Sequence, residues 1–194
     1  MPGRLSGAEA YFGADDMTVT IARATMADAS AISKLIAESA RELGRSDYCE
    51  DLIEAALGSV WGLDTRLIED GTYFLVRVDG ELAACGGWSF RGTLFGSDSL
   101  SSRDDVLLCP GKDSARIRAF FVRPKFARQG FGSQLLAHCE QKARDAGFLT
   151  LSLGATEPGR RLYRAFGFVE GEPIDFDLGG GLTIRIVPMS KAIA

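Results

Sequence analysis

The chain is poor in the residues that metal sites need. Among 194 residues there is one histidine, His138, and there are four cysteines, Cys49, Cys85, Cys109 and Cys139. No two cysteines form a C-x-x-C pair, so a zinc site has too few well-spaced ligands. Basic residues are not in excess either. Lys and Arg total 22 against 26 Asp and Glu, a net charge of -4. The basic footprint of non-specific nucleic-acid binding is therefore missing. No apolar run approaches the ~20 residues that span a bilayer. The opening stretch, MPGRLSGAEAYFGADD, lacks the apolar core of a signal peptide. These absences predict neither a nucleic-acid nor a membrane partner. They fit a reducing cytoplasm, with Cys85 and Cys139 as buried thiols.

What is present is the balance of an ordinary globular chain: 46% hydrophobic and 25% charged residues. The length fits one domain. The first seventeen residues are small, polar and unpatterned, and are expected to form a flexible extension. Met17 sits directly before the first convincing strand and offers a second start. The domain proper is placed at 18–194.

Strand and helix periods then alternate along the chain. TVTIARAT is β-branched and alternating, hence a strand. Thr25 with Asp28 forms a capping-box pattern before a helix carrying Ile32, Leu35, Ile36, Ala40 and Leu43. Asp47 and Glu50 open a second helix. GTYFLVRVDGELAACGGWSF reads as a hairpin about Asp79-Gly80. The polar stretch from Arg91 to Asp113 is a long loop, of the kind that is functional or disordered. ARIRAFFV is a strand, Phe131 to Ala146 a helix, FLTLSLGAT a strand. Pro158 starts a short helix ending at Gly167. Two strands about Gly179-Gly180-Gly181 close the chain. The expected order is β-α-α-β-β-β-α-β-α-β-β. That is a mixed α/β (α+β) domain with a largely antiparallel sheet and one right-handed parallel crossover, Ala115 to Thr156.

The most informative stretch is FFVRPKFARQGFGSQLL, Phe120 to Leu136. A strand breaks at Pro124 and restarts as a helix after a G-x-G loop. Helix N-termini expose unpaired N–H groups and about half a positive charge, and glycines admit a ligand to the backbone. Arg128 adds a forked cation suited to phosphate, and Ser133 a hydroxyl. From these residues alone, a tight turn and a phosphate cradle both remain open. The P-loop lysine is missing. The dinucleotide fingerprint fails because Leu135 stands at its third glycine and no acidic residue ends the next strand.

The wider pattern narrows the choice. VRPKFARQGFGSQLL, then AGFLTLSLGAT, then LYRAFGF resembles the GNAT superfamily of N-acetyltransferases, over about Thr18 to Met189. The GNAT-like fold it implies is a mixed, largely antiparallel central sheet flanked by helices. The chain departs from the superfamily's [QR]-x-x-G-x-[GA] loop at its first position, where Ala127 stands. The resemblance implies acetyl-CoA (acetyl-coenzyme A) as acyl donor. Its pyrophosphate is expected on the N–H groups of Arg128, Gln129, Gly130, Phe131, Gly132 and Ser133. Its pantetheine arm is expected beside Phe120 and Val122, with an N–H of Phe121 or Val122 on the thioester carbonyl. Tyr163 matches the superfamily's general acid. A phenol of pKa about 10 stays protonated at neutral pH and can donate to a leaving thiolate. As a packed helix residue beside Leu162 and Phe166, it would do nothing chemical.

No general base stands out. The strand positions where some members carry Glu read Arg116, Ile117, Arg118 and Ala119. Asp113 and Glu157 are weak candidates, and His138 falls among polar neighbours on a helix, expected to face solvent. Arg160, Arg161 and Arg164 form a positive face for a 3′-phosphate, an acidic partner or water. Gly86, Gly87 and Trp88 suit either a bulge with a core tryptophan or an acceptor pocket. Asp47, Glu50 and Asp51 suit a cationic amine or a helix dipole. The expected activity is transfer of an acetyl group to a primary amine on a small molecule or peptide, with homodimerisation left open. The alternative is a non-catalytic acyl-coenzyme A-binding or regulatory module.

Overall fold

The computed structural model describes residues 9–12, 17–100 and 103–193. Strand β1 (Glu9–Phe12) pairs antiparallel with β2 (Thr18–Arg23). It lies in the stretch read from sequence as unpatterned; the rest of that stretch, Met17 apart, lies outside the described residues. A 3-10 turn (Met26–Asp28) leads into α1 (Ala29–Leu43). Its capping box is present, with the Thr25 N–H donating to the Asp28 carboxylate at 2.9 Å. Then come α2 (Glu50–Leu57) and α3 (Thr65–Glu69), the latter not anticipated because five residues are too short to show a period.

The hairpin β3 (Tyr73–Val78) and β4 (Glu81–Ser89) turns on Asp79 and Gly80, both with positive φ, as the primed turns of hairpins require. Both strands are buried nearly throughout because helices cover both sheet faces. Next are β5 (Ala115–Val122), α4 (Phe131–Asp145), β6 (Thr150–Ala155) and α5 (Glu157–Ala165). The last three strands are β7 (Val169–Glu170), β8 (Ile174–Gly179) and β9 (Leu182–Ala192). FVEGEPIDFDL therefore divides into two strands, β7 and β8.

The sheet order is β1-β2-β3-β4-β5-β6-β9-β7, with β8 also on β9. Every pairing is antiparallel except β5–β6, the crossover that the sequence predicts. Two cores result. Phe131, Leu135, Leu136 and Cys139 of α4 pack on one face with Ile117, Leu151 and Leu153. Ile32, Leu35 and Ile36 of α1 and Ile53 and Ala56 of α2 pack on the other with Leu75, Cys85 and Ile184. Cys85 and Cys139 are fully buried free thiols. Among the described residues, no helix is long and apolar enough to cross a membrane.

Candidate active site

The site originates in a failure of pairing. Strands β5 and β6 run parallel and meet only at Ala115–Leu151 and Arg116–Ser152. Beyond these pairs the strands separate, so backbone groups of Ile117 to Val122 are released on one side. On its other side β5 pairs with β4, with a register shift between Cys85 and Gly87. Phe121 opposes Cys85 and Arg118 opposes Gly87, so Ala119 and Phe120 together face the single residue Gly86. This is a β-bulge. Ala119 takes the left-handed conformation, φ +55°. The Tyr73 hydroxyl donates to its carbonyl at 3.0 Å and holds it there.

Gly86 is required by this bulge: a Cβ there would lie 2.6 Å from the Phe120 ring. A Cβ at Gly87 would lie 2.6 Å from the Thr72 carbonyl. Trp88 is buried with its ring 6.0 Å from those of Phe90 and Phe148. The structure thus takes the packing alternative for all three; none lines the cleft described next.

A cleft of about 580 Å³ runs through the gap between the strands. Its walls are α4's N-terminus, α5, α1, residues 60–62 and loop residues 94–96. Of the residues expected to bind the donor, Phe120, Phe121, Val122, Arg128, Gly130, Phe131, Gly132 and Ser133 line it, as does Tyr163. Gln129 does not; its amide turns back to the Lys125 carbonyl at 2.9 Å. The Phe131 ring is buried against Phe126, centroids 5.8 Å apart, so only its main chain faces outward.

The loop before α4 is shaped by two left-handed residues, Arg128 at φ +63° and Gly130 at φ +89°. Gly130 caps the helix and has no side chain to satisfy it. The N–H groups of Phe131, Gly132 and Ser133 therefore have no intrahelical acceptor and point out of the helix end. A Cβ on Gly132 would meet Val122 at 3.4 Å, so the cradle is close against β5. Arg128 stands exposed at its rim, and the side-chain gap left by Ala127 does not alter these donors. The geometry fits a phosphate-bearing ligand.

Strand alternation decides which β5 groups face that ligand. The Arg123 N–H donates to Ala83 on β4 at 2.8 Å. One residue back, the Val122 N–H and carbonyl turn the other way, into the gap. The Phe121 N–H turns back towards β4. Of the two N–H groups named from sequence, Val122 is the one aimed at the cleft.

Tyr163 sits on α5 with its ring 5.8 Å from Phe168. Gly159, one turn earlier, makes room: a Cβ there would lie 3.1 Å from the ring. Burial pushes the phenol well above its usual pKa, and the Cys139 thiol nearby adds to this. A residue missed in sequence fixes where this helix starts. The Tyr48 hydroxyl accepts from the Glu157 N–H at 2.9 Å, while its ring packs on Trp61 at 5.7 Å. No local pattern marks Tyr48, because its partner is 109 residues away.

The remaining candidates are placed elsewhere. Asp113 accepts from the Cys109 N–H at 2.8 Å and caps a turn. Glu157 pairs with Arg160 at 2.5 Å. Neither lines the cleft. His138 does not face open solvent; it is half-buried with its ring edge-on to Phe74 at 4.6 Å. Arg160 and Arg164 are both tied to Glu170, leaving Arg161 of the three at the cleft. Glu50 and Asp51 sit in the first turn of α2, off the cleft, as the dipole account expects.

An antiparallel sheet that splays at one parallel pair, beside a glycine-capped helix, defines an acyl-coenzyme A-binding fold of the N-acetyltransferase type. The acetyltransferase (GNAT) family model matches residues 35–168, and the chain belongs to that family. Solved structures agree in fold. A GCN5-related N-acetyltransferase from Rhodopseudomonas palustris is 16% identical with TM-score 0.65, covering 89% of this chain and 94% of its own. PaiA N-acetyltransferase from Thermoplasma acidophilum, in complex with coenzyme A, is 15% identical with TM-score 0.61, covering 90% and 99%. YncA from Salmonella typhimurium, with acetyl-CoA, is 14% identical with TM-score 0.59, covering 91% and 94%. No curated protein sequence matches the chain.

Proposed function

We propose that residues 18–194 form an N-acetyltransferase that moves an acetyl group from acetyl-CoA to a primary amine by direct attack. The observation that carries this is the continuity of one cleft, lined by the α4 cradle, by Val122 and by Tyr163. When bound, acetyl-CoA supplies a thioester carbonyl open to an amine. The N–H groups of Phe131, Gly132 and Ser133 hold the pyrophosphate, helped by Arg128. Val122 holds the pantetheine as an added strand would, and its N–H is the donor available to the thioester oxygen. Tyr163, kept protonated by burial, gives its proton to the departing sulfur.

The absence of Asp113 and Glu157 from the cleft removes two side-chain bases. The amine then loses its proton to water, or arrives neutral. The same observation favours the second reading, a non-catalytic acyl-coenzyme A-binding module. Free-thiol release from acetyl-CoA against a panel of amines separates them. Release with at least one amine is expected. A rise in melting temperature with millimolar acetyl-CoA, but no release with any amine, would support the second reading. No rise at all would remove the donor assignment itself.

A further inference from the structure

Part of the cleft wall, made by Ala40, Leu43, Val60, Trp61, Leu94 and Phe95, is apolar. Arg118, on β5 beside the bulge, also lines the cleft, with its side chain 3% exposed. Its Nη2 donates to the Gly96 carbonyl at 2.5 Å and lies 2.9 Å from Asp64 Oδ2. That second approach is an ion contact without hydrogen-bond alignment, since Oδ2 accepts no hydrogen bond. Among the described residues, the donors on Nε and Nη1 have no protein acceptor.

The surrounding charges do not need those donors. Arg103 binds Asp64 at 2.6 Å and Asp98 at 2.8 Å, and Asp98 also accepts from the Thr65 N–H. Two carboxylates and two guanidiniums therefore balance. Arg103, Asp98 and Ser97 tie the loop to residues 59, 63, 64 and 65, so that anchorage does not rest on Arg118. Arg116, two residues earlier, differs: its Nε donates to the Gly92 carbonyl and its Nη1 to Ser152, and it does not line the cleft. A guanidinium remains charged when largely buried, and the donors that the protein leaves unused are open to the cleft, where a ligand can meet them. A planar, two-oxygen acceptor engages both donors, and a carboxylate fits the fork.

We infer that Arg118 selects the acceptor: the amine substrate carries a carboxylate, bound by the Nε and Nη1 donors of Arg118 in the cleft, beside its apolar wall. This rests on the acetyltransferase reading above. The position supports the role. Arg118 stands one residue from Ala119, where the bulge turns the strand, and lines the same cleft as Val122. The carboxylate anchors there while the amine reaches back towards the thioester. Amines of this class are free amino acids, ω-amino acids and acidic amino sugars.

The test compares alanine, β-alanine and glutamate with their carboxamides as acceptors, following thiol release from acetyl-CoA. At least one acid is expected to exceed its amide in kcat/KM by about 10- to 100-fold, the worth of hydrogen bonds to a charged group. Arg118→Lys keeps a charge beside Asp64 but loses the fork, and is expected to collapse that ratio towards one. Arg118→Gln serves as the stronger variant, its folding checked by circular dichroism. Equal turnover of acid and amide in every pair would overturn the inference while leaving the acetyltransferase reading intact. Should no acceptor release thiol, calorimetry of the same acids on the coenzyme A complex decides. Binding to wild type and not to Arg118→Lys supports the inference; no binding overturns it. Faster transfer from succinyl-coenzyme A to the carboxamides than from acetyl-CoA to the acids would put the carboxylate on the donor and overturn the acceptor assignment.

Discussion

The Tyr73 hydroxyl donates to the Ala119 carbonyl at 3.0 Å, across the sheet from β3 to the bulge of β5. Ala119 has positive φ, a conformation a residue with Cβ holds only where its surroundings impose it. Tyr73→Phe removes the donor and leaves the carbonyl unsatisfied. A loss of about 1–3 kcal/mol is expected in urea unfolding. The stabilisation by acetyl-CoA should also shrink, because the bulge sets where Val122 faces. Unchanged stability and ligand response would show that the bulge holds itself.

The two loop glycines should separate conformation from space. A Cβ on Gly130 has no atom within 4 Å, but φ is +89°. Gly130→Ala is therefore expected to cost about 1–2 kcal/mol through backbone strain alone. Gly132→Ala meets Val122 at an ordinary 3.4 Å and should fold nearly as well as wild type. Thermal unfolding of both checks the order; a larger loss at 132 would contradict it.

At Gly86 the conflict is steric. A Cβ placed there lies 2.6 Å from the Phe120 ring. Gly86→Ala should lose about 1–3 kcal/mol, as overpacked sites do. The double variant with Phe120→Leu should recover part of it. No recovery would mean that the clash is not with that ring.

Tyr163→Phe is expected to lower turnover by about 10²-fold or more, with little change in acetyl-CoA binding. The pH dependence has a definite sign. Burial raises the phenol's pKa, so the proton to be donated stays in place above the usual pKa of 10. The kcat profile should show no falling limb from this group below about pH 10. A limb there that vanished in Tyr163→Phe would refute the raised pKa.

Glu170 is held at a pKa of about 2, first by the Arg160 hydrogen bond and then by that of Arg164. Its folded pKa lies below the ordinary 4.5, so its contribution to stability is present above 4.5 and is lost as pH falls towards about 2. Acid unfolding of Glu170→Gln should be less steep than wild type between those values. An identical slope would show the pairing to be silent.

Much of this molecule was legible along the chain. The Asp79-Gly80 turn, the Thr25–Asp28 cap, the Gly167 helix stop and the strand-loop-helix at Phe120 to Leu136 all rest on neighbours within a few residues. Local sterics, caps and period determine such features, and so does the placing of Gly130 before a helix. Short α3, the two-residue β7 and β1 carried too little period to be seen.

Tertiary structure decided the rest, because it depends on partners far apart in sequence. The parting of β5 from β6 after Arg116 turns a strand into one wall of a cleft. Phe120 explains Gly86, and Tyr48 sets the start of Tyr163's helix from 109 residues away. Arg118 read only as the residue standing where a glutamate was sought. Burial, a loop folded back to give it Gly96, and Asp64 at the start of α3 made it a guanidinium lining the cleft. A local pattern specifies backbone conformation; which side chains lose water together is fixed only when the sheet assembles.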